Sequence, residues 1–184
     1  VKEAWNATRR LTSTKLVDPA AHAVTGLPGL PRDWAGRHWA GMIDSDDRTG
    51  GRLFYWLFEK REKPAPGTPV IIWLNGGPGC SSMDGLFLEL GPLRVAPGSP
   101  NGKARLQRRP SSWHRAAHAL FLDQPVGTGF SRTSGRNYCR DDACIVAQFE
   151  TFLARFVRSY KHLVMKDEKT SVPIYFAGES HAGH

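Results

Sequence analysis

Three cysteines in 184 residues are too few, and of the wrong parity, for a complete disulfide framework within this sequence. Cys139 and Cys144 could close a short loop, which would leave Cys80 unpartnered here; free buried thiols are the other reading. No run of about 18 apolar residues exists, so no segment is expected to span a membrane. Nor does a charged-then-apolar leader follow Val1. Acidic residues are also scarce, 17 against 25 Lys and Arg, giving a net charge of +8. Those bases are scattered (Arg9-Arg10, Arg108-Arg109, Arg132, Arg136) with no regular interleaving of aromatics. They read as a solvated basic surface, not a nucleic-acid site. Neither a metal set nor a cofactor is expected.

What is present is globular: 40% of the residues are apolar and 10% of the chain is aromatic, in a length that supports one real core. Residues 1–37 hold Pro19, Pro28 and Pro31 and no sustained periodicity, so a loosely structured leader segment is expected. Asn6-Ala7-Thr8 within it is a glycosylation sequon. Residues 38–44 and 52–59 read as two strands joined by a turn, hence an antiparallel hairpin. Val70 to Leu74 is a continuous apolar run, as for a strand buried on both faces. Met83 to Leu90 suits a short helix stopped by Gly91-Pro92, and residues 93–110 read as loop. Ala119 to Asp123 is another strand. Ile145, Phe149, Phe152, Phe156, Tyr160 and Leu163 mark the apolar face of a helix, with Gln148, Glu150, Arg155 and Arg158 expected to face away. A hairpin followed by strands alternating with helices predicts an α/β sheet that becomes parallel.

Two loops carry the chemistry. Asn75-Gly76-Gly77-Pro78-Gly79 follows a buried strand and is glycine-rich enough for backbone N–H groups to converge on an anion. Near the other end, an apolar run leads into Gly178-Glu179-Ser180-His181-Ala182-Gly183. Small residues around a serine at a strand-to-helix turn give a nucleophile elbow. Open α/β sheets bind ligands at the carboxyl ends of their strands, where both loops fall. An oxyanion could then be met by one N–H from each.

The segments Trp73 to Ser82, Glu89-Leu90-Gly91-Pro92, Asp123 to Ser131 and Gly178 to Gly183, in that order, resemble the signatures of the serine carboxypeptidases. These are α/β-hydrolases that remove C-terminal residues from peptides, and the resemblance covers residues 38–184. It implies Ser180 as nucleophile and the N–H groups of Gly77 and His181 as oxyanion hole. Asn75, Gly76, Glu89 and Glu179 are implied to hold the substrate's terminal carboxylate, with Trp73 supporting them. His181 departs from the tyrosine usual at its position, and the backbone role is expected to survive the change. The loop Gly79-Cys80-Ser81-Ser82-Met83-Asp84-Gly85 is similar to that of prohormone-processing members. The resemblance further implies peptide or protein C-termini as substrate. It also implies the secretory pathway, a vacuole- or lysosome-like compartment or the extracellular space as location. Oligomeric state is left open.

The family order is Ser, then Asp, then His, so Ser180's partners are expected beyond this sequence. His184 shares a helix face with Ser180, but an elbow serine points away from that helix. His22, His38, His114, His118 and His162 lie outside any catalytic motif. The sequence is therefore expected to be an α/β-hydrolase truncated after its elbow, inactive alone. A family-fold acyltransferase and a non-catalytic scaffold or protective protein are the alternatives.

Overall fold

A computed structural model describes residues 15–62, 64–98, 104–167 and 169–183; Asn6 and His184 lie outside them. Strands β1 (His38–Asp46) and β2 (Gly51–Phe58) pair antiparallel around a turn in which Asp46 Oδ1 and Oδ2 accept from the backbone N–H of Arg48 and Thr49 and the Thr49 hydroxyl. Local side-chain acceptors of this kind close turns without help from the core. The other strands of the main sheet are β3 (Val70–Leu74), β6 (His118–Leu122) and β7 (Ile174–Gly178). Their spatial order is β1-β2-β6-β3-β7. β2 meets β6 antiparallel, while β6, β3 and β7 run parallel. The sheet is thus mixed, and the fold is α/β.

Residues 93–110 are not all loop: β4 (Leu93–Val95) and β5 (Leu106–Arg108) form a two-stranded antiparallel ribbon. Leu93 and Leu106 turn inward onto Met83, Leu86 and Phe121. Three-residue strands are too short to show alternation in the sequence. The expected helix before Gly91 is a wide turn over Gly85–Glu89, in which Leu90 N–H reaches the Gly85 carbonyl. Gly85's own N–H goes to the Asn75 side chain instead of into the turn.

Helix α1 (Pro19–His22) is capped by Asp18 and sits on β1. His22 Nδ1 lies 2.6 Å from the Tyr55 hydroxyl, which lies 2.5 Å from that of Tyr160. Trp34 packs against His38, Phe58 and His114. Helix α2 (Asp142–Ser159) starts at the Asp141 cap and buries Phe152, Phe156 and Val157 against the sheet; α3 (Lys161–Val164) follows. Gln148 and Arg155 do not face away. Both are buried, and Arg155 donates to the Asp44 carbonyl and to Asp47 Oδ2 at 2.8 and 2.7 Å. A guanidinium meets burial only with such partners, which come from the end of β1 and the turn after it. β7 forms the edge of the sheet, with Tyr175 and Phe176 exposed. No helix among the described residues is long and apolar enough to cross a membrane.

Candidate active site

The parallel register of β3 and β7 aligns Leu74 with Gly178, and Glu179 N–H extends the ladder to the Leu74 carbonyl at 3.2 Å. Two loops 104 residues apart therefore leave the same end of the sheet side by side. On the β7 side, Ser180 has φ of +55°, a left-handed conformation that a side chain adopts only under constraint. The chain then enters a helical turn over Ser180–Gly183. A Cβ on Gly178 would stand 2.6 Å from the Ala182 carbonyl oxygen, so the tight return requires glycine there. On the β3 side, a Cβ on Gly76 would fall 2.5 Å from the Glu179 carbonyl oxygen and 2.9 Å from both Ser180 Cβ and His181 N. The glycine loop thus lies directly on the serine turn.

Asn75 organises the rest. Its Oδ1 accepts from Trp73 Nε1 at 2.7 Å and from the Gly85 N–H at 3.0 Å. Both partners can only donate, which settles the orientation of the amide. Nδ2 is thereby aimed at two carboxyl groups, Glu89 Oε1 and Glu179 Oε2, each at 3.1 Å. Glu89 arrives from the wide turn after the glycine loop, Glu179 from the residue before the serine. Trp73 is itself braced edge-on by Trp113. Trp73, Asn75, Glu89 and Glu179 form one hydrogen-bonded cluster, and Gly76 joins it to Ser180 and His181.

Beneath this cluster lies a second one that the sequence reading did not assign. Asp123, fully buried at the end of β6, accepts from the Ser81 hydroxyl at 2.7 Å, Ser82 N–H at 2.8 Å and Phe130 N–H at 2.9 Å. Burial pushes its carboxyl above the usual range, and the three donors oppose that. Ser82 then accepts from the Asn75 N–H at 3.0 Å and donates to the Leu122 carbonyl at 2.6 Å. Asp123 is a charged residue closing an otherwise apolar strand, and that was the available signal. Gly85 was missed as well. A Cβ there would collide with the Trp73 indole and lie 2.7 Å from Asn75 Oδ1.

A cleft of about 200 Å³ opens beside the serine turn, lined by Gly76, Pro78, Pro125, Val146 and His181. Cys139 and Cys144 form a disulfide with their α-carbons 5.4 Å apart, and Cys80 is an exposed free thiol. No metal-binding group of His, Cys, Asp and Glu occurs among the described residues. The ring nitrogens of His22, His38, His114 and His118 engage Tyr55, Trp56, Ser112 and the Lys60 N–H, all away from Ser180.

The sequence profile of the serine carboxypeptidases matches residues 28–184. The chain belongs to the serine carboxypeptidase family. It is 38% identical over 181 residues to a pheromone-processing carboxypeptidase of Phytophthora infestans, an alignment covering 94% of this chain and 29% of that one. A protein of the same name from Paracoccidioides brasiliensis is 41% identical over 167 residues, covering 89% of this chain and 24% of its own. Another, from Verticillium alfalfae, is 38% identical over 179 residues, covering 97% and 26%. The chain spans about a quarter of the length of these relatives.

Proposed function

We propose that this chain is the amino-terminal part of the α/β-hydrolase domain of a serine-type carboxypeptidase, an enzyme that releases C-terminal residues from peptides through an acyl-enzyme. The observation that carries the reading is the position of Asn75 Nδ2 between Glu89 and Glu179, one residue from the strained Ser180. Such a cluster is built to grip a carboxylate that ends a chain. Beside the Asn75 amide, a carboxyl group contributes a donor to that carboxylate when it carries its proton.

With the terminal carboxylate on Asn75, Gly76, Glu89 and Glu179, the last peptide carbonyl lies over Ser180. Its Oγ attacks the carbonyl carbon, and the oxyanion is received by the N–H groups of Gly77 and His181. The C–N bond then breaks, the freed amino acid takes a proton as it leaves, and water hydrolyses the ester on Ser180. In the family's order the general base and its orienting Asp follow Ser180.

The carboxylate cluster favours a peptidase over an acyltransferase acting on sugar esters, and the strained serine favours catalysis over a scaffold role. The Cys139–Cys144 disulfide suits an oxidising compartment and hence the secretory pathway or a vacuole. The test is labelling of the full-length protein with a fluorophosphonate followed by peptide mass analysis. One adduct, on the peptide holding Ser180, is expected. A folded protein that stays unlabelled at Ser180 would overturn the reading.

A further inference from the structure

A second cavity, of about 140 Å³, lies away from the serine turn, and three arginines are among its lining residues. Trp34, stacked on His114 with ring centroids 6.2 Å apart, forms one side. Arg61, Arg108 and Arg109 supply the charged part of the wall, with Ala35, Gly36 and Pro92 between. The charges are poorly balanced. Arg108 Nη2 meets Asp33 Oδ2 at 3.3 Å, but that carboxylate is 82% exposed. Arg109 is held by neutral groups, donating from Nε to the Gly91 carbonyl and from Nη2 to the Phe87 carbonyl. Arg61 has no acidic partner among the described residues. Within Arg108, moreover, the Nε donor is buried and no group among the described residues accepts from it. A buried guanidinium N–H left in this way is costly unless an acceptor reaches it.

The local field agrees with the geometry. His114 is pushed down to about 4, first by burial and then by the positive charges of Arg61, Arg108 and Arg115. The ring therefore stays neutral at ordinary pH, and the fixed charge of the cavity is that of the arginines. Since a water occupies about 30 Å³ of the liquid, the cavity admits a group of several heavy atoms but not an extended ligand.

We propose that this cavity is a binding site for a small free oxyanion of sulfate or phosphate size, held by Arg61, Arg108 and Arg109 against the Trp34–His114 wall. The guanidinium fork matches such oxygens in pairs. The Arg108 guanidinium over the Trp34 ring, 5.4 Å from its centroid, fixes the donors on the aromatic side. The site is independent of the peptidase reading, because none of these side chains belongs to the Ser180 cluster.

Thermal melting of the full-length protein in sodium sulfate and in sodium phosphate, against sodium chloride at equal ionic strength, tests this. Each oxyanion is expected to raise the melting temperature in a saturable way at millimolar concentration. The exposed Arg61→Gln should fold as the parent does and bind at least fivefold more weakly, and Arg108→Gln should abolish the increment. Isothermal titration with inorganic sulfate should give the same ranking. A non-saturating rise shared by all variants, as salt exclusion produces, would overturn the proposal. So would an unchanged affinity in both arginine variants.

Discussion

Gly76 lies against Ser180: a Cβ built on the glycine would stand 2.9 Å from the serine's own Cβ. The contact joins the loop after β3 to the turn after β7 and sets where the serine sits relative to the carboxylate cluster. Substituting Gly76→Ala in the full-length enzyme must displace the Glu179 carbonyl, the serine or the loop. A misplacement of about 1 Å costs on the order of 100-fold in catalysis. We expect kcat/KM to fall by about that factor while the protein remains folded, as read by steady-state kinetics alongside circular dichroism.

Among the described residues, Asn75 Nδ2 is the donor that Glu89 and Glu179 share. Asn75→Ala leaves both carboxyl groups without it and, under the proposed function, removes the grip on the substrate carboxylate. Hydrogen bonds involving charged groups are worth about 1.5–3 kcal/mol, so KM should rise about 10- to 100-fold, with kcat changing less. An unchanged KM for peptides with a free C-terminus would count against the assigned role.

Asp123 accepts three hydrogen bonds through both of its oxygens. Asp123→Asn removes a buried charge, yet its amide nitrogen must then face an N–H of Ser82 or Phe130. The donor–donor conflict outweighs the saving, because an unmet buried group costs about 1–3 kcal/mol. Denaturant unfolding should show a loss of that size. A variant as stable as the parent would mean that the carboxylate is not the acceptor holding these loops.

His38 and His114 are both pushed down to about 4, chiefly by burial. Each ring is neutral in the fold but takes a proton in the unfolded chain below about pH 6.5. The stability they contribute is therefore present above pH 6.5 and is lost as the pH falls toward 4. His118, His22 and His162 are lowered as well and act in the same sense. Asp123, pushed up by burial, opposes them with one group. The linkage amounts to roughly 3 kcal/mol for each of His38 and His114 at its limit. Unfolding free energies at pH 7, 5.5 and 4.5 should fall steadily; a flat profile would contradict the neutral buried rings.

The hairpin, the apolar β3 and the serine turn were legible in the sequence because each is a local pattern: alternation, a continuous apolar run, or small residues around a serine. The pairing of β3 with β7 was not, since a parallel register is fixed by contacts across about a hundred residues. That register is what brings Asn75 to Glu179. Arg155 looked like a solvent-facing helix residue because its partners, the Asp44 carbonyl of β1 and Asp47 of the turn after it, are distant in sequence. Gly85 had no local reason to be glycine; the reason is the Trp73 indole, which occupies the space a side chain would need. The two short strands β4 and β5 lacked the length to show a period.

The most direct measurement compares kcat/KM of the full-length protein for a blocked peptide with a free C-terminal carboxylate and for the same peptide as its C-terminal amide. If Asn75, Glu89 and Glu179 grip the carboxylate beside Ser180, the free acid should be preferred by about 100-fold or more, as expected for a site whose polar groups the amide leaves wrongly paired. Activity on both should vanish in Ser180→Ala. Equal cleavage of acid and amide, or activity that survives Ser180→Ala, would contradict the assignment.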